Sequence, residues 1–185
     1  MVNDVLKALD ADIGKAMEAL NRDLSKVRTG RANATMLDGI RVDYYGTPTP
    51  LNQVANISVP EPRLLVVKPW EKRLIPEIEK AIRAASLGIN PAVDSEVVRL
   101  PIPALTADRR KELVKQVKKL AEDAKVAVRK CRQTARETLE GGGKSGKVPE
   151  DEVKKGQEKI QTKIDDAIKQ VDVISDKKQA EIMEV

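Results

Sequence analysis

The sequence predicts an α+β protein: an elongated three-helix bundle into which a small α/β, β-sandwich-like domain is inserted on a two-stranded hinge. Three observations lead there. Three long stretches place apolar residues at steps of three and four, the mark of amphipathic helices. Between residues 30 and 103 lie nine of the ten prolines, both tyrosines and the single tryptophan. Within that window the apolar period shortens to two, as strands require.

The first stretch, residues 2–28, carries Val2, Val5, Leu9, Ile13, Met17, Leu20, Leu24 and Val27 with charged residues between them. It reads as one helix. Ile40–Tyr45, Ala55–Val59, Leu64–Val67 and Glu96–Leu100 read as short strands, Gly46-Thr47-Pro48 as a turn, and Leu74–Ser86 as a helix closed by Gly88. After Pro101-Ile102-Pro103, Thr106 is placed to cap a second long helix with Leu113, Val117, Leu120, Ala124, Cys131, Ala135 and Leu139 in helical spacing, ending near Glu140. Gly141–Lys147 reads as a flexible connector. Pro149 and the acids Glu150, Asp151 and Glu152 open a third helix bearing Val153, Ile160, Ile164, Ile168, Val171, Ile174 and Ile182.

No long helix hides its apolar stripe alone, so the first must pack on the other two across the intervening segment. Residues 1–30 and 104–185 are therefore assigned to the bundle, and 31–103 to an insertion. The two crossings form the expected hinge: Thr29, Gly30 and Arg31 on one side, Pro101, Ile102, Pro103 and Ala104 on the other. Glycine supplies freedom at the first, and proline stiffens the second.

Composition excludes several function classes. The chain is 41% hydrophobic, 34% charged and 2% aromatic, with no Phe and no His. Its core must be Val, Leu, Ile and Ala, and every mechanism that runs through imidazole is absent. One cysteine, Cys131, closes no intramolecular disulfide and makes no cysteine zinc site; a lone thiol suits a reducing compartment. No apolar run of about 18 residues and no leader-like start are present, so a cytoplasmic protein with no membrane partner is expected. No metal, cofactor or catalytic site is expected either.

The formal net charge is +5, and its arrangement matters more than its size. On a helical wheel Lys118, Lys125, Arg129, Arg132 and Arg136 fall within an arc of about 60°, a basic stripe about 27 Å long. Glu112, Asp123 and Glu137 lie on another flank, so the stripe is expected to be neither buried nor neutralised by its own helix. Guanidinium groups suit bidentate contacts to phosphate oxygens. Lys26, Arg28 and Arg31 cluster beside the first crossing. On the residues alone a nucleic-acid surface, a solvated face paired with acids of neighbouring helices, and a helical-bundle chaperone or adaptor without RNA function all stay open.

Other motifs carry less. Gly141 and Gly146-Lys147 match the opening of a phosphate-binding loop, but Val148 stands where a hydroxyl should hold magnesium, and the loop follows a helix rather than a strand. Cys131 reads as a buried structural thiol. Tyr44, Tyr45 and Trp70 read as core filling in a chain without Phe, with stacking on a base as the alternative.

Several strings together resemble the ribosome recycling factor family. They include Val27-Arg28-Thr29-Gly30-Arg31-Ala32, Leu37-Asp38-Gly39-Ile40, Tyr44-Tyr45-Gly46, Thr49-Pro50-Leu51, Val59-Pro60-Glu61-Pro62-Arg63, Pro69-Trp70, Leu87-Gly88-Ile89-Asn90-Pro91, Arg109-Arg110-Lys111-Glu112-Leu113 and Lys125-Val126-Ala127-Val128-Arg129. The resemblance covers nearly the whole chain. It implies a non-enzymatic, monomeric translation factor. Such a factor binds the large ribosomal subunit after termination, its bundle lying along ribosomal RNA. Elongation factor G, using GTP, then acts on the inserted domain, the subunits separate, and messenger and transfer RNA are released. By position, the family's RNA-contacting arginines fall on Arg28, Arg31, Arg129 and Arg132. The chain departs at Arg132-Gln133-Thr134-Ala135, where the family usually reads Arg-Arg-Asp-Ala, and at Pro103-Ala104, where a double proline is common.

Overall fold

The computed structural model describes residues 1–184. The chain forms two compact units, Met1–Arg28 with Asp108–Glu184, and Thr29–Ala107. Their elements in chain order are α1 (Val2–Ser25), β1 (Arg41–Tyr44), β2 (Thr47–Pro50), the single turn α2 (Leu51–Val54), β3 (Ala55–Glu61), β4 (Leu64–Pro69), α3 (Ile75–Ala84), β5 (Ala92–Val93), β6 (Val98–Pro101), α4 (Ala107–Lys144) and α5 (Glu150–Met183). Short 3-10 turns cover Ala34–Leu37 and Lys72–Leu74.

The first unit is a three-helix bundle. Val5 and Leu9 of α1 share one core with Val128, Ala135 and Leu139 of α4 and Ile160, Ile164 and Ala167 of α5. Burying each large aliphatic side chain contributes about 1.5–3 kcal/mol. Direction follows from the contacts: Arg110 at the start of α4 donates to the carbonyl of Met183 at the end of α5, 3.0 Å away, so these helices run antiparallel. Lys163 of α5 pairs with Asp10 of α1 at 2.7 Å. Helix α1 stops at Ser25, short of the expected 28, but Val27 remains buried beyond it. Val128, absent from the expected core, is fully buried.

Helix α4 overruns its expected end at Glu140 and passes through Gly141, Gly142 and Gly143 to Lys144. Close packing explains why. A Cβ on Gly142 would lie 2.6 Å from Cε of Met1, one on Gly143 3.0 Å from Cγ2 of Val153, and one on Gly156 2.7 Å from Cδ2 of Leu139. The glycines let neighbouring chains approach, which offsets their helix cost of about 1 kcal/mol each. Gly146, at φ +69°, ends the helix in a Schellman turn: Lys147 N–H donates to Gly142 O and Gly146 N–H to Gly143 O, both at 3.0 Å. The connector is thus a built helix cap.

In the second unit α3 shares one core with two sheets. Ile75, Ile78 and Ile82 pack with Leu65, Val67, Val98 and Leu100 of the larger sheet and with Val42, Leu51 and Val54 on the hairpin side. The larger sheet is antiparallel in the order β3-β4-β6-β5. Strands β1 and β2 form a separate hairpin, with Arg41 opposite Pro50 and Tyr44 opposite Thr47. Its turn is Tyr45-Gly46, at φ 52° and 79°, as a two-residue primed turn demands. Thr47 and Pro48, expected in a turn, therefore lie in a strand. Its two prolines are tolerated because β2 pairs on one side only.

Candidate nucleic-acid interface

Helix α4 sets the spacing of the basic residues, and its apolar stripe fixes which way they face. Burial of Val117, Ala121, Ala124, Val128 and Ala135 leaves the flank about 85° round the helix at the edge of the core, exposed or half-buried. On that flank Arg129, Arg132 and Arg136 line one open groove of about 550 Å³ together with Val126, Lys130, Gln133, Glu137 and Glu140, so Glu137, expected on another flank, shares the groove with the arginines. Lys118 is exposed outside the groove. Arg28 and Arg31 are also exposed, one ending the first compact unit and the other within the second, and neither lines the groove.

The basic residues differ in their partners. Lys125, half-buried, pairs with Asp172 of α5 at 2.5 Å. Arg129 pairs at 3.0 Å with Glu122, two turns back on its own helix. This corrects the expectation that α4 does not neutralise its own stripe: Glu122 stands only about 20° from Arg129 on the wheel, so the signal was present in the spacing. Arg132, half-buried, donates at 3.4 Å to the amide oxygen of Gln161 on α5. Among the described residues neither Arg132 nor Arg136 forms an ion pair. The partners on α5, Gln161 and Asp172, lay beyond reach of any wheel drawn for one helix.

Of the remaining candidates, Cys131 is half-buried against the bundle core, and burial, then the charge of Asp12, pushes its thiol above the ordinary range. It is a poor nucleophile. Tyr44 packs partly buried against the core as expected, but the other two aromatic residues correct that expectation. Tyr45 and Trp70 are each 70% exposed and fill no core. Aliphatic residues occupy the interior positions, while Tyr44 and Tyr45 donate their hydroxyls to Glu71 at 3.0 and 3.5 Å. Arg73 also binds Glu71, and its guanidinium lies 3.8 Å over the Tyr45 ring.

The hinge candidates divide as well. Gly30 takes φ +78°, which favours glycine. Thr29 is buried, and Ile102 belongs to the core of the second unit. Ala32 donates to the carbonyl of Pro62 at 2.7 Å and Ile102 to that of Arg63 at 2.8 Å. Adjacent residues of the β3–β4 connection thus hold both crossing strands. Pro101, Pro103 and Ala104 are exposed, as is Arg31.

Among the described residues no group of three or more His, Cys, Asp or Glu side chains could hold a metal ion, and no helix is long and apolar enough to cross a membrane. Known proteins supply the remaining evidence. A family model described as ribosome recycling factor matches residues 20–183. The ribosome-recycling factor of Sorangium cellulosum (strain So ce56) is 54% identical over 185 residues, with all of both chains covered. That of Staphylococcus carnosus (strain TM300) is 47% identical over 184 residues, again covering 100% of each. A solution structure of ribosome recycling factor matches with a TM-score of 0.75 at 37% identity, covering 100% of this chain and 98% of that one. The T. thermophilus ribosome recycling factor, described with E. coli elongation factor G bound to the E. coli post-termination complex, matches with a TM-score of 0.65 at 38% identity and 99% coverage of each chain.

Proposed function

Because the chain belongs to the ribosome recycling factor family, we propose that its helical unit is an RNA-anchored arm and its inserted unit the handle on which elongation factor G acts. The chain is a non-enzymatic translation factor of ribosome recycling. It supplies geometry, and the GTPase supplies free energy. Binding to the post-termination ribosome, splitting of the subunits with GTP, and release of messenger and transfer RNA follow in this reading. So does action as a monomer in the cytoplasm.

One observation carries the anchoring role: Arg132 and Arg136 share a groove with Arg129 and, among the described residues, meet no carboxylate in an ion pair. Two charged donors about one helical turn apart suit successive phosphate oxygens of a folded RNA. Arg129, Lys118 and Arg28 add basic groups on the helical unit and Arg31 one on the inserted unit, whereas Lys125 serves mainly to hold α4 to α5. Thr29, Gly30 and Arg31, with Pro101, Ile102, Pro103 and Ala104, form the hinge. Bending concentrates at Arg31, Pro103 and Ala104, since Pro101 pairs with Leu64 in the sheet and Ile102 is fixed in the inserted unit's core.

The test is binding of the variants Arg132→Ala and Arg136→Ala to isolated large ribosomal subunits across a salt series. Each lost phosphate contact should make the log–log slope shallower by roughly 0.7–0.9 and weaken binding roughly tenfold at low salt. Subunit splitting with elongation factor G and GTP, followed by light scattering, should slow in parallel. Undiminished binding by the double variant would refute the anchor.

A further inference from the structure

We infer that glutamines keep the arginine groove electrostatically open, with Gln161 as the residue that positions Arg132. This deepens the anchoring role and rests on it. Lys125 and Arg129 each meet a carboxylate, Asp172 at 2.5 Å and Glu122 at 3.0 Å. Arg132 meets an amide instead. Its Nη1 donates to Oε1 of Gln161 at 3.4 Å, while Nε2 of Gln161 donates to Oδ1 of Asp165 at 2.8 Å. Gln161 and Asp165 are one turn apart on α5, so the carboxylate of Asp165 orients the amide that Arg132 meets.

The same device recurs along the groove. Glu137 and Glu140 both line it, and each is engaged by a glutamine amide: Gln133 donates to Glu137 at 2.9 Å, and Gln157 of α5 donates to Glu140 at 3.1 Å. Neither carboxylate is paired with Arg132 or Arg136. A neutral acceptor orders a guanidinium without cancelling its charge, whereas a carboxylate partner must be displaced or shared when phosphate arrives. Arg132 is therefore held in place without an ion-pair partner to displace, which lowers the ordering cost of the contact.

Gln161 is exposed, so substitutions there leave the bundle core intact, and far-UV circular dichroism checks this. Gln161→Glu and Gln161→Ala are compared with the wild type for binding to isolated large ribosomal subunits across a salt series. In Gln161→Glu the new carboxylate should pair with Arg132, weakening binding roughly tenfold at low salt and making the slope shallower by about one phosphate contact. The alanine variant frees Arg132 but leaves its charge, so a loss of roughly threefold with an unchanged slope is expected. Wild-type binding by Gln161→Glu overturns the inference. So do equal losses with equal slopes in the two variants, because packing alone would then explain them. Full binding by Arg132→Ala would bring down the anchor itself, and the role of Gln161 with it.

Discussion

Glu71 gathers three donors, the guanidinium of Arg73 and the hydroxyls of Tyr44 and Tyr45. These bonds, Arg73 first and Tyr44 next, hold its carboxyl below the ordinary value of 4.5, and the bond to Glu71 raises the Tyr44 hydroxyl above 10.0. A carboxylate with a lowered folded pKa contributes stability that is complete above its unfolded value and is lost as pH falls through the folded one. Glu71→Gln should therefore flatten the acid limb. Between about pH 5 and 3 the wild-type melting temperature of the inserted unit should fall more steeply than the variant's, read by fluorescence of the single Trp70 next to Glu71. Parallel curves would mean the cluster adds nothing. This cluster was only half legible. Tyr44, Tyr45 and Trp70 stood out by type, but hydrophobicity suggested burial, and the acid that draws the tyrosine hydroxyls outward comes from another strand's end. The stripe of α4 was legible because it follows one helix's own geometry. Its pairings with Asp172 and Gln161 were not, because they depend on how α5 is rotated.

At the scale of elements, the three long helices and β1, β3, β4, β6 and α3 follow from apolar period and punctuation, with boundaries displaced by a few residues. The departures share a cause: residues read as breakers are used for contact or placed at an edge. Gly142 and Gly143 admit neighbouring side chains, and the prolines of β2 sit where little pairing is lost. Gly141 differs, for nothing lies within 4 Å of a Cβ built there. Gly141→Ala should stabilise the bundle by about 0.5–1 kcal/mol. Gly156→Ala should destabilise it by about 1–3 kcal/mol, since Leu139 is fully buried and has little room to give. Thermal unfolding followed at 222 nm distinguishes the two, and equal shifts of one sign would refute the packing argument.

For the whole molecule, burial pointed to the insertion, because the apolar stripe of α1 needs the other long helices to cover it; the units divide after Arg28 and Ala107, a few residues from the expected 30 and 103. The bonds from Ala32 to Pro62 and Ile102 to Arg63 were not legible, because backbone pairing leaves no mark on side-chain type. If the inserted unit is a handle, joining it covalently to the helical unit through one engineered cysteine in each, on a Cys131→Ser background, should abolish subunit splitting with elongation factor G and GTP. Binding to the large subunit should persist. Splitting at the full rate in the cross-linked protein would eliminate the handle.

The shared core of α1 with α5 has a further consequence during synthesis. Val5 and Leu9 find Ile160 and Ile164 only after roughly 155 more residues have been translated. At about 5–20 residues per second, that is roughly 8–30 s of waiting. Over that interval the inserted unit, Thr29–Ala107, is completed and α4 follows, so both are made before the apolar face of α1 can meet α5. The core face of α1 is therefore the last apolar surface of the chain to be fully covered.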